Sequence, residues 1–111
     1  MMENGFLVTC KRDVLKRAIW EVGPSKKNWP LYFQIKNRRL SLVFNGKSVE
    51  IMCELQQGGN DCFIGVSYQT ALKVSRTIVA ENITVEFDGT DLKIDNTVIN
   101  FDKGKKRKRQ I

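Results

Sequence analysis

Residues 6–10, Phe-Leu-Val-Thr-Cys, are apolar or β-branched and follow a glycine, which predicts a strand. The period then changes. Val14, Leu15, Ala18, Ile19 and Val22 fall on one helical stripe, while Lys11, Arg12, Lys16 and Arg17 fall largely off it, so residues 11–22 predict an amphipathic helix. Gly23-Pro24 ends it, because glycine suits a helix C-terminus and proline cannot continue the turn. Residues 24–30 read as loop. Strands are predicted over 31–36, 39–44 and 48–55, separated by Asn37-Arg38 and Asn45-Gly46-Lys47, and Asn-Gly is a strong hairpin signal. Residues 56–60, Gln-Gln-Gly-Gly-Asn, read as loop.

The pattern then restarts. Residues 62–66 predict a strand, and Ser67 is a good N-cap for a helix through about Ala80 with Ala71, Leu72, Ser75, Ile78 and Val79 on its inner stripe. Three short strands follow over 82–88, 91–95 and 97–101, with turns at Asp88-Gly89-Thr90 and Asn96. Each half thus reads strand, helix, strand, strand, strand, an internal repeat of element order rather than of residue identity. Two sheets with one apolar face each, and two helices with one apolar stripe each, bury those faces best against one another. The expected fold is α+β: two βαβββ repeats, antiparallel sheets, both helices on one face. One domain spans 1–101, and a basic tail spans 102–111.

Composition narrows the chemistry. The 111 residues are 41% hydrophobic and 28% charged, as in an ordinary globular domain, and the short apolar runs predict no bilayer span. The N-terminus lacks a secretory pattern, which points to the cytoplasm, near the nucleoid, or to the nucleus if the source is eukaryotic or viral. There is no histidine, and Cys10, Cys53 and Cys62 have no close ligand spacing, so neither a histidine-based catalyst nor a metal centre is expected. Each cysteine falls in a predicted strand, where a small buried thiol is common. No enzyme and no cofactor are expected.

Charge is segregated. The net charge is +7, and residues 102–111 carry six cations against Asp102. Residues 11–27 hold Lys11, Arg12, Lys16, Arg17, Lys26 and Lys27 against Asp13 and Glu21, and the second helix holds Lys73 and Arg76 with no acid. The rest of the body holds five cations against nine acids. These basic faces read either as solvated helix surfaces or as a one-sided field that attracts a polyanion. Three readings fit Lys103, Lys105, Lys106, Arg107, Lys108 and Arg109: a solvated tail, non-specific phosphate contacts, or a nuclear import signal. Trp20 and Trp29 read as covers for the core edge or as stacking surfaces, and Asp88, Asp91 and Asp95 as turn acids without calcium-loop spacing.

The chain resembles one domain of the DNA polymerase sliding clamps, the bacterial beta clamp and proliferating cell nuclear antigen, over residues 6–101. The likeness is carried by residues 6–20, Leu40-Ser-Leu-Val-Phe44, Cys62-Phe-Ile-Gly-Val-Ser67 leading into Leu72-Lys-Val-Ser-Arg76, Ile83-Thr-Val-Glu-Phe87 and Asp91-Leu-Lys-Ile-Asp95. It implies a ring of six such domains whose basic helices meet the backbone of duplex DNA without reading sequence. By position, Arg12, Lys16, Arg17, Lys73 and Arg76 would line the hole, joined by Lys26 and Lys27 and, in the tail, Lys105, Lys106, Arg107, Lys108 and Arg109. Strand edges over 48–55 and 97–101 would pair between copies, with Val49, Ile51, Cys53, Val98 and Ile99 at the contact. Clamp subunits carry two or three such domains and this chain carries one, so a ring needs six copies. The competing reading is a monomeric or dimeric interaction module for a DNA polymerase or another replication or transcription protein. A minor-groove binder presenting its sheet is disfavoured by the acidic sheet side.

Overall fold

A computed structural model describes residues 5–23 and 30–99. In chain order the elements are β1 (Phe6–Lys11), α1 (Arg12–Val22), β2 (Pro30–Lys36), β3 (Arg39–Phe44), β4 (Lys47–Glu50), β5 (Glu54–Gly58), β6 (Cys62–Ser67), α2 (Tyr68–Thr77), β7 (Asn82–Phe87), β8 (Leu92–Ile94) and β9 (Thr97–Val98). They form an α+β fold with two sheets, ordered β5-β1-β7-β8-β9 and β4-β3-β2-β6. Every pairing is antiparallel. β1 therefore lies beside β7, in the sheet of the later strands, while β6 lies beside β2, in the sheet of the earlier ones.

Period-two alternation explains the strands. Leu31, Phe33 and Ile35 of β2, Leu40, Leu42 and Phe44 of β3, and Ile83, Val85 and Phe87 of β7 are all buried in one core, with their neighbours turned outward. Three hairpins close on two residues with positive φ: Asn37-Arg38, Asn45-Gly46 and Asp95-Asn96. That is the type I′ pattern, whose twist matches that of the strands it joins.

Residues 48–55 do not form one strand. Ile51 continues the β3 ladder by donating its N–H to the Leu40 carbonyl at 2.8 Å, and its side chain is only 2% exposed. Met52 is 75% exposed, and the chain then leaves one sheet for the other. β5 pairs with β1, with a register shift that leaves Gln56 bulged between Leu55, opposite Val8, and Gln57, opposite Leu7. Residues 56–58 are thus strand and not loop, because β1 supplies a free ladder edge. Gly58 has φ +85° and lies so close to Gly5 that a Cβ would stand 2.2 Å from the Gly5 carbonyl oxygen.

Ile51→Pro is therefore expected to destabilise the monomer. It removes a ladder donor and a core side chain, at a cost of about 3 kcal/mol or more. A urea midpoint unchanged from wild type would contradict this.

Two helix boundaries also differ from expectation. α2 ends at Thr77, Ile78 is extended, and Val79 is exposed rather than on an inner stripe. Gly23 after α1 is extended, with φ −157°, so no left-handed cap explains it. A Cβ there would meet the Phe44 ring at 2.8 Å, and close packing is what requires glycine.

Candidate nucleic-acid interface

The two helices pack against each other, and polar contacts at both ends set their direction. The buried Tyr68, at the start of α2, shares its hydroxyl between the carbonyls of Ile19 at 3.3 Å and Gly23 at 3.2 Å, at the end of α1. Its ring stacks on Phe44 with centroids 4.7 Å apart. At the other end, the Arg12 backbone N–H donates to the Glu81 carbonyl at 2.8 Å, and the Arg12 guanidinium donates to the Val79 carbonyl at 2.9 Å. The pair is therefore antiparallel. Ser67 caps α2 by accepting from the Thr70 N–H at 3.3 Å. α1 has no side-chain cap, and the Glu81 carbonyl takes one of its free donors instead.

This geometry sorts the predicted cations. Arg12 is half-buried and held by Val79 and by Asp13, whose carboxylate lies 3.2 Å from Nε, so it ties α1 to the exit of α2. Lys11 also faces an acid, Glu81, at 3.7 Å. Lys16, Arg17, Lys73 and Arg76 are exposed, and among the described residues none of them forms an ion pair. With the helices anchored at both ends, Lys16 and Arg17 stand at the level of Lys73. Gln69, Thr70 and Thr77 complete the outer side of α2, and that helix carries no acid. Lys26, Lys27, Trp29, Lys105, Lys106, Arg107, Lys108 and Arg109 lie outside the described residues.

The edge residues divide in the same way. β4 and β9 are outer strands of their sheets, as are β5 and β6. Val49 is half-buried and Val98 is 49% exposed on β9. Ile51 and Ile99 point into the core, and the Ile99 N–H is already used by the Leu92 carbonyl at 2.9 Å, so neither side chain is available at an edge. Cys53 lies in the crossing segment rather than a strand. Sequence reasoning missed Met52, which is exposed in that segment, and Phe63, 64% exposed on β6 with its ring edge-on to Tyr32 at 5.5 Å.

The thiols are quiet. Burial, helped by the neighbouring Cys53, pushes Cys10 up to about 11. Burial also raises Cys53 and Cys62, with Glu50 and Asp61 adding to it respectively. Burial thus favours the thiol over the thiolate at all three, and the thiol is the weaker nucleophile. Asp88 spends its carboxylate on the backbone N–H groups of Asp91 at 2.8 Å and Thr90 at 2.9 Å, and these bonds hold it below the usual carboxylate range. Among the described residues no three cysteine, aspartate or glutamate side chains converge as a metal site, and no helix is long and apolar enough to cross a membrane. No protein-family model matches the chain, and no curated protein matches it.

Proposed function

We propose that the chain is a sliding-clamp-like processivity factor that holds duplex DNA without sequence preference and works as a ring of copies. The observation that carries this reading is the antiparallel helix pair with Lys16, Arg17, Lys73 and Arg76 outward and unpaired with any described acid. Cations in that setting release counterions when they meet phosphates and have no base edge to read. The strand exchange is compatible with a clamp-like plan, in which β1 joins β5, β7, β8 and β9 and β6 joins β2, β3 and β4, although β5 adds to the first half a strand that the expected βαβββ repeat does not include. β4 and β9 are different edges, so joining one to the other between copies is a head-to-tail contact, the kind that closes rings.

The test is the mass in solution together with retention on DNA. A species of six subunits, retained on circular plasmid and released when the plasmid is cut, is the expected result. A monomer or dimer with no retention would favour the interaction module instead. The exposed Phe63 against Tyr32, on the outer face of the four-stranded sheet, is the feature that would serve such a module in binding a replication protein.

A further inference from the structure

Trp20 is the anomaly of α1. Leu15, Ile19 and Val22 of the same helix are fully buried, yet Trp20 is 58% exposed. At 100° per residue it lies roughly 150° from the centre of the buried stripe, on the outward side of the helix. It therefore does not cover the core edge. Lys16 and Arg17, four and three residues earlier, flank it one turn away, and both are exposed. Asp13, two turns back, is tied to Arg12 at 3.2 Å, and Glu21 points about 100° further round the helix.

We infer that Trp20 is a stacking platform for an unpaired base of single-stranded nucleic acid, whose phosphates Lys16 and Arg17 take. The inference rests on the reading that this helix face meets nucleic acid, and it adds what that reading lacks, a contact to a base. Charge complementarity selects the occupant: an apolar protein pocket would want apolar neighbours around the indole, and here its outward neighbours one turn back, among the described residues, are the cations Lys16 and Arg17. A duplex hides its base faces in the stack, whereas a single strand presents them to an aromatic ring without regard to sequence. The site would thus engage DNA where the duplex gives way to a single strand.

The test uses the full chain throughout, so that the tail contributes equally to every variant. Trp29→Phe leaves Trp20 as the only indole, since the chain has two tryptophans. Oligothymidylate and oligouridylate are each expected to quench its fluorescence, and a duplex of the same length to quench it far less. Trp20→Ala is expected to weaken single-strand binding about tenfold while leaving duplex affinity and the salt slope unchanged. Trp20→Phe should keep most of the single-strand affinity. Equal single-strand affinity in Trp20→Ala, or an unquenched indole, overturns the stacking site even if Lys16→Ala with Arg17→Ala still weakens both ligands. If that charge variant weakens neither ligand, the reading of the whole face falls, and the stacking site with it. A loss of oligomer mass in Trp20→Ala with single-strand affinity intact would assign the ring to a second copy and also overturns the proposal.

Discussion

A chain ending at Phe101 and carrying Lys16→Ala, Arg17→Ala, Lys73→Ala and Arg76→Ala should lose its measurable affinity for duplex DNA at low salt. The truncation alone should retain it. Removing the tail isolates the salt slope contributed by the helices from that of the tail's six cations. Each phosphate contact contributes about 0.9 to the logarithmic salt slope, so four lost contacts flatten it by up to roughly 3.6. All four side chains are exposed, so each change alone should alter stability by no more than about 0.5 kcal/mol, and the variant should stay folded. Arg12→Ala is the contrasting variant. It gives up bonds to Val79 and Asp13 and should cost stability, with little change in the slope. A truncation that binds no DNA at low salt, and is not retained on circular plasmid, would reduce these helices to solvated faces.

Tyr68→Ala should be among the most destabilising single changes. The side chain is fully buried, stacked on Phe44 and shared between two α1 carbonyls. Losing the ring costs about 3–5 kcal/mol, and Tyr68→Phe, which leaves the carbonyls without the hydroxyl, about 1–2 kcal/mol. Urea unfolding of the three proteins should show that order. Burial raises the phenol above its ordinary value of 10.0, with Arg76 opposing it weakly. Its folded value lies above its unfolded one, so this contribution is complete below pH 10 and is lost as pH rises past it. Tyr68→Phe should lack that part of the alkaline loss. Equal midpoints for all three proteins would remove Tyr68 as the link between the helices.

Much of the fold was legible because alternation and turns agreed. Leu40-Ser-Leu-Val-Phe44 and Ile83-Thr-Val-Glu-Phe87 bury every second residue, and Asn-Gly marked a true hairpin. The break at residues 51–53 was hidden because Val49, Ile51 and Cys53 keep the inward period while the backbone changes sheets. β5 was hidden for the opposite reason: Gln-Gln-Gly resembles a loop, and only the open edge of β1 makes it a strand. Of the candidate interface, the exposed lysines and arginines followed from the helical period. The role of Arg12 did not, because its acceptor at Val79 lies 67 positions away in the chain. Tyr68 escaped notice because it opens its helix, ahead of the stripe that the period reveals.

The exchange of first strands between the sheets has a consequence for biosynthesis. β1, Phe6–Lys11, leaves the ribosome well before its partner β7, which spans Asn82–Phe87. Until then β1 has only the short edge strand β5 to pair with. The two halves cannot mature one after the other, since each lacks a strand that only the other provides. Closing so long a loop costs entropy before the β1–β7 pairing rewards it, and such long-range pairing slows folding. During that wait the apolar face formed by Phe6, Val8 and Cys10 stays uncovered. Expression at high translation rates should therefore favour mispairing between nascent chains, through the same strand that completes the native sheet.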